Sequence, residues 1–399
     1  MEGYVHHEIV VIGGGICGLA TALAFHRKGI RCTVLERSET LRAAGAAIIM
    51  MPNGWRALDH LGVAGELRQT AMLIERSYRI FVHDSKRVKL PVGDDEIRCL
   101  KRQDLVRVLA DNLPKGTIHF GCKIVSLKID EKSSSILHLD DGRVLTAKVV
   151  IGCDGVHSIV SDALGLNPMK VKNTCVTRGF TYYPNGHSLP PEFPLYTSAQ
   201  GQFGYLPITN NSVYWFVTRM KTPQDSHIKG DKPRALDAAL DFVKGYDQKS
   251  IEMVKNTDIE IMHVTTNLRL RSPFDFLTNS FRRGTVTVAG DALHAVGPFL
   301  AQGGSLALED AVVLARCVAS SISIGFNGPL LEKGIGVSLE RYFQARKMRV
   351  FWLMFYSFLR GNIAGTISSR VVKYLSIVLL SLLFSKDPSS HTRFDCGPL

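Results

Sequence analysis

Apolar and polar positions alternate differently along three parts of the chain. Near the start, residues 8–12 form a short, continuously apolar run that predicts a buried strand. The helical stretch LATALAFHRKG and a second strand, RCTVLER, follow it. Residues 41–61 begin small and loop-like, turn at Met51-Pro52-Asn53-Gly54 and enter a short helix. Residues 78–82 and 88–91 read as strands, and 98–113 as an amphipathic helix entered by basic residues. Short alternating strands fill 117–150, with hairpin chemistry at Asp140-Asp141-Gly142.

The middle of the chain changes in character. From about 171 to 277 it is rich in Tyr, Phe, Pro and Thr, with strand-like runs at 176–183, 202–207, 213–220 and 259–270. One polar helix over 232–247 interrupts them, and the whole reads as a mostly antiparallel sheet in a layer of its own. Its candidate pocket-facing aromatics are Tyr183, Phe203, Tyr205 and Trp215. The last part returns to a strand, TVTVAG, and then to a helix over 306–318. Residues 339–359 are helical. A further apolar run at 374–384 has about half the length a bilayer span requires. It either packs on the body or lies in the plane of a membrane surface.

Three of these strands end in chemistry. The first runs into Gly13-Gly14-Gly15-Ile16-Cys17-Gly18, and the second ends at Glu36. Strand, G-x-G-x-x-G, helix, strand and acid therefore follow one another at dinucleotide-site spacing. Gly13 permits the tight turn, Gly15 the approach of a pyrophosphate and Gly18 close helix–strand packing, while Glu36 can accept from a ribose. Arg37 adjoins that acid. Arg42 could meet cofactor phosphates or be a surface arginine, and Arg102 could reach the pyrophosphate. The strand AKVVIG leads to Asp154-Gly155, with His157 and Ser158 behind. A third strand closes at Gly290-Asp291. There Pro298 and the Gly303-Gly304 pair precede a helix whose N-terminus favours an anion.

Composition adds bounds. With 399 residues, 45% hydrophobic and 21% charged, the chain holds roughly two to three domains' worth of ordered mass. A net charge of +12 is spread without basic blocks, and no basic patch interleaves with aromatics, so nucleic-acid binding is not expected. The eight cysteines form no C-x-x-C pair and no His/Cys cluster, which predicts reduced thiols and no metal site. The first strand begins within ten residues of Met1, leaving no room for a presequence. A cytoplasmic protein, with a membrane-peripheral variant of that reading, is the expectation.

GGGICG with Glu36, CDG at 153–155 and GDALHAVGPFLAQGG at 290–304 together resemble the single-component FAD-dependent aromatic hydroxylases, the group A flavoprotein monooxygenases. Within that family the chain is similar to plant monooxygenases related to salicylate hydroxylase and zeaxanthin epoxidase. The resemblance covers about residues 8–345. It implies an α/β architecture: a discontinuous Rossmann-like FAD-binding domain (1–75, 99–170 and 278–345), a mostly antiparallel substrate domain (76–98 and 171–277) and a helical, apolar C-terminal region (346–399).

The resemblance also implies that Gly13, Gly15, Gly18 and Glu36 hold the ADP half of FAD, with Arg102 on its phosphates. Asp154 and Gly155 would serve FAD and a passing NAD(P)H. Asp291 would sit at the ribitol, and Pro298, Gln302, Gly303 and Gly304 beside the flavin ring. The implied chemistry is reduction by NAD(P)H, O2 capture as a C4a-hydroperoxyflavin and oxygen transfer to a small aromatic substrate, with Phe299 helping to wall the pocket. His294 and Tyr205 are candidate bases, although His294 is better suited to packing at the turn. Epoxidation of an isoprenoid and a non-catalytic flavin sensor or scaffold are the alternatives. The chain departs from the family pattern at Ala301, where a glycine is usual, and at His157, a position often held by arginine.

Overall fold

The computed structural model describes residues 5–41, 47–90, 96–130, 134–226, 228, 230–323, 329–363, 369–384 and 390–399; Arg42 lies outside them. Five parallel strands form the centre of the first sheet, in the order Val286–Val288, Val144–Gly152, Val5–Ile12, Thr33–Leu35 and Ile118–His119. Ile9–Ile12 and Val149–Ile151 are buried throughout, and that two-sided burial is why these runs are continuously apolar. The turn at Asp140-Asp141-Gly142 joins Ser135–Leu139 to Val144–Gly152, with Gly142 at φ +87°. Helix Ile16–Arg27 lies between this sheet and the long helix Gly303–Ser323, burying every residue from Cys17 to Phe25.

The second sheet has seven strands, ordered His263–Thr265, Thr174–Tyr182, Ser212–Met220, Gly201–Thr209, Glu192–Thr197, Arg76–Phe81 and Arg87–Leu90. Only Glu192–Thr197 and Arg76–Phe81 pair in parallel. Helices Lys232–Val243 and Gln248–Lys255 cover one face, packing Ala235, Ala239, Val243 and Met253 on Phe203, Val213, Trp215 and Val217. The helix expected over 232–247 is thus two. The first ends at Val243, and Asp247 starts the second by accepting from the Ser250 N–H at 2.9 Å. The strand expected over 259–270 is broken as well. Asp258 accepts from the Glu260 N–H and nucleates a short 3-10 turn, leaving strands at His263–Thr265 and Leu268–Leu270.

A small antiparallel sheet, Ala47–Met50, Arg98–Lys101 and Met72–Leu73, bridges the two layers. Arg98–Lys101 is its central strand rather than the first turn of a helix. Both its edges are hydrogen-bonded, so the helix starts only at Arg102 and runs to Asp111.

At the far end, helix Pro329–Gly361 runs through the expected 339–359 segment, followed by helix Arg370–Phe384. The second helix packs Leu380 against the core but leaves most of its apolar side chains, Val371, Tyr374, Leu375, Ile377, Leu382 and Leu383 among them, exposed. Among the described residues, no helix is long and apolar enough to cross a membrane. The last ten residues return to the core, where Arg316 donates to the carbonyls of Cys396 and Pro398 at 2.8 and 2.6 Å.

Candidate functional site

Four neighbouring parallel strands finish at one level. Ile12 pairs with both Gly152 and Leu35, and Gly152 pairs with Val288. The glycine–acid segments that follow these strands therefore emerge side by side at the carboxyl edge of the sheet, although almost 280 residues separate the first from the last. Each glycine has its own reason. Gly13 takes φ +106°, and a Cβ there would lie 2.5 Å from the Cys153 carbonyl oxygen. A Cβ on Gly18 would lie 1.9 Å from the Gly13 oxygen, so Gly18 lets the helix seat against the turn and does not itself line the cavity. Gly15 is different, with no atom within 4 Å of where its Cβ would be. It precedes a helix whose first turn holds no acid and no side-chain cap, leaving N–H groups and the positive end of the dipole for an anion. Glu36 closes the turn, accepting from the Gly14 N–H at 2.7 Å and the Ser38 N–H at 2.9 Å.

Two further carboxylates face the same space with unmet capacity. Asp154 Oδ2 accepts from the Ile159 N–H at 2.8 Å, while its Oδ1 is buried without a partner. Burial raises its pKa in spite of those hydrogen bonds. Asp291 follows Gly290, itself at φ +62°, and is open to the cavity yet ringed by protein. That desolvation raises its pKa against the pull of His294 and Arg102, and among the described residues no hydrogen bond reaches its carboxylate. Arg37, Arg102, Gly155, His157, Pro298, Phe299, Gly303 and Gly304 line the same cavity of about 900 Å³. An open glycine turn, an orphaned carboxylate oxygen and an unpartnered carboxylate along one cavity fit a dinucleotide with its ribose and ribitol hydroxyls.

Behind the Gly290 turn stands an ionic network that is buried except for the edge of Arg349. Asp310 accepts from the Gly290 N–H at 2.9 Å, from His294 Nε2 at 2.8 Å and from Arg346 Nε at 2.7 Å. Glu309 accepts from Arg346 Nη1 at 2.6 Å, Arg349 Nη2 at 3.0 Å and Asn53 Nδ2 at 2.6 Å. Burial alone would raise both carboxyl pKa values. The attraction of His294 and Arg346 for Asp310, and of Arg346 and Arg349 for Glu309, outweighs it and lowers both. Gln302 joins through Asn53, at 2.8 Å, with its side chain fully buried. His294 is therefore a scaffold residue and no base for a substrate. Beside Gln302, Ala301 takes φ +52°, the left-handed conformation that explains why glycine is usual there. Elsewhere, His60, Asp395 and Cys396 bring potential metal-ligand atoms within 4.8 Å of one another, and none of the three lines the cavity.

The seven-stranded sheet forms the opposite wall, and here the expected aromatics are on the wrong face. Tyr183, Phe203, Tyr205 and Trp215 all pack towards the two covering helices, where Trp215 Nε1 donates to Thr257 at 2.7 Å. Because side chains alternate along a strand, their neighbours face the cavity instead: Gln202, Tyr214 and Phe216, with Phe193 from an adjacent strand. Tyr205 is thereby removed as a candidate base. One row crosses the sheet in register: Arg178, Phe216, Gly204, Leu195 and Arg79. Gly204 leaves room for rings, since a Cβ there would come within 2.7 Å of Phe216 and 3.0 Å of Phe193. Tyr356, Arg360, His391 and Thr392 complete the wall from the C-terminal region, where no sequence signal had pointed.

A family model described as an FAD binding domain matches residues 6–325. Monooxygenase 1 of Arabidopsis thaliana is 45% identical over 397 residues, covering 98% of this chain and 99% of that protein. The 3-amino-4-hydroxybenzoate 2-monooxygenase of Streptomyces platensis is 28% identical, covering 86% of this chain and 85% of its own. The crystal structure of Klebsiella pneumoniae HpxO complexed with FAD and uric acid superimposes with a TM-score of 0.78 at 20% identity, covering 98% and 97% of the two chains. With its strand-end glycines, its acids and this coverage, the chain belongs to the FAD-binding family of single-component flavoprotein monooxygenases.

Proposed function

We propose that this FAD-dependent monooxygenase uses NAD(P)H and O2 to hydroxylate a small aromatic substrate. The observation that carries the reading is the continuity of the cavity: one space joins the strand-end glycines to the ring-lined face of the seven-stranded sheet. The aromatic hydroxybenzoate named for the Streptomyces relative supports the substrate class. In this reading the Gly13–Gly15 turn and the N-terminus of helix Ile16–Arg27 take the pyrophosphate, with Arg37 and Arg102 supplying countercharge. Glu36 takes a ribose hydroxyl, and Asp154 and Asp291 take hydroxyls further along. Gly303 and Gly304 would lie beside the flavin ring, where their N–H groups could stabilise negative charge.

Bound FAD supplies the hydride acceptance and the oxygen activation. The protein supplies orientation and dryness. Phe193, Phe216, Leu195 and Phe299 stack against a planar ring and displace water from it. Burial pushes the Tyr214 hydroxyl up to about 12, which makes it a poor base and leaves it suited to donating to a substrate oxygen.

The test is NAD(P)H oxidation by the yellow protein across phenols, benzoates and isoprenoids, with products made under 18O2 and weighed by mass spectrometry. One labelled oxygen in a ring hydroxyl is expected. A labelled epoxide would instead establish the isoprenoid alternative, and oxidation that no compound stimulates would favour a flavin sensor or scaffold.

A further inference from the structure

Two arginines held inside the protein meet acids. Arg346 meets Glu309 and Asp310, and Arg219 meets Asp225 with two contacts of 2.6 Å. A third, Arg271, donates to the carbonyls of Asn167 and Ala292 and leaves its Nε unmet away from the cavity, whereas Arg79 and Arg360 leave theirs unmet on the cavity wall. Arg79, on the strand Arg76–Phe81, has no hydrogen bond or ion pair among the described residues, and its Nε is buried without a partner. Arg360, in the last turn of helix Pro329–Gly361, also leaves its Nε buried and unmet; its Nη2 donates only to the Tyr356 hydroxyl, at 2.9 Å. Both side chains line the one cavity. Burial first, and Arg360 second, lower the pKa of Arg79. Charges of one sign held together in a low-dielectric wall call for a counter-anion.

The surroundings narrow that anion's identity. In register beside Arg79 lies Leu195 and, two strands further, Phe216. Next to Arg360, Gly361 packs on the Phe299 ring, which sets the pair beside the 297–301 loop. We propose that Arg79 and Arg360 form an anion subsite that clamps a carboxylate carried by the substrate, whose planar body lies over Leu195 and Phe216. This rests on the hydroxylase reading for the word substrate. The binding itself does not depend on it. A guanidinium fork is suited to a carboxylate because it offers parallel N–H donors in one plane.

The test titrates the FAD-loaded protein with benzoate, salicylate and indole-3-carboxylate, each against its neutral amide, following the flavin absorbance. At least one acid should bind roughly ten- to a hundredfold tighter than its amide, as expected for charge-assisted hydrogen bonds. Arg79→Met and Arg360→Met should each erase that preference, while Arg79→Lys, with its charge but no fork, should retain part of it. Arg87→Met, exposed on the next strand and paired with Glu192, serves as the control and should change nothing. Equal affinities for every acid and amide overturn the proposal, as does a preference that survives both methionine variants. It also falls if the variants lose discrimination of NADPH from NADH instead, since the anion held is then the reductant's phosphate. Binding is read without turnover, so a protein that prefers the acids yet forms no hydroxylated product loses the hydroxylase reading and keeps the subsite.

Discussion

Arg346→Met tests whether the buried ionic network holds the Gly290 turn. Arg346 is fully buried and bonds Asp310 at 2.7 Å and Glu309 at 2.6 Å. Methionine keeps much of the volume and removes the charge. Glu309 keeps Arg349 and Asn53, while Asp310 is left with His294 and the Gly290 N–H. Removing one partner of a buried pair costs about 3–5 kcal/mol. With an unfolding entropy of about 2.1 cal/mol/K per residue over 399 residues, that is a Tm lower by about 4–6 °C. The pH dependence gives a sharper signature. In the wild type both carboxyl pKa values are lowered, so their stabilisation is present above the ordinary carboxylate range and is lost as pH falls through the folded values. Without Arg346, the folded pKa of Asp310 rises, and the variant suffers most where that group must ionise. The Tm deficit should therefore be largest near about pH 8 and shrink towards about pH 4. Calorimetry of the apo and FAD-loaded forms across that range measures it. A deficit under about 1 kcal/mol, or one that does not vary with pH, would refute the reasoning.

Other outcomes follow from single positions. Gly15→Val should leave the apo protein's melting unchanged but cost roughly tenfold or more in FAD affinity, whereas Gly18→Ala should destabilise both forms by about 1–3 kcal/mol, because only the second meets backbone. Trp215→Ala should cost about 3–5 kcal/mol with little change in KM, and Phe216→Ala should raise KM for an aromatic substrate; the reverse pattern would mean the sheet's faces are misassigned. Asp291→Asn should raise the apo Tm at neutral pH, with the gain vanishing below about pH 4, and should weaken FAD binding in an absorbance titration. Ala301→Gly should stabilise by about 0.5–1 kcal/mol in urea unfolding, since the left-handed penalty it removes exceeds the entropy it adds to the unfolded chain.

The nucleotide end of the site was legible in the sequence because its requirements are local and made by backbone. Gly13 must take a positive φ, Gly18 must touch Gly13, and an acid must end the next strand, so each demand leaves its residue at a fixed offset. The substrate wall imposes no such offsets. Both faces of the seven-stranded sheet are buried, one under helices and one under the cavity, so its strands carry large apolar side chains on each parity. Tyr183, Phe203, Tyr205 and Trp215 therefore belong to the helix-covered face, and Gln202, Tyr214 and Phe216 to the cavity, with no periodicity to tell the two faces apart. Arg79 and Arg360 were out of reach for another reason. They stand 281 residues apart, and nothing local distinguishes an arginine whose acid is missing from one that has an acid elsewhere in the fold.

The segment 290–310 shows what the fold adds to such a motif. It holds two aspartates, Asp291 and Asp310, which by spacing alone could exchange roles as the group that meets the ligand. Their surroundings push them in opposite directions. Asp310 receives three donors from the protein, and its pKa is lowered, so its charge is satisfied by the protein itself. Asp291 receives none among the described residues and its pKa is raised, so the fold bears an unfavourable charge that further donors would relieve. Asp154, with one oxygen bonded and one orphaned, shares that condition. A polar group that the fold leaves unmet at its own cost, on the wall of a cavity, marks where a ligand's hydroxyl belongs. By that criterion Asp291 and Asp154 are the acids left open to the cavity, Asp310 holds the turn that presents Asp291, and the unmet Nε atoms of Arg79 and Arg360 carry the anion subsite proposed at the sheet wall.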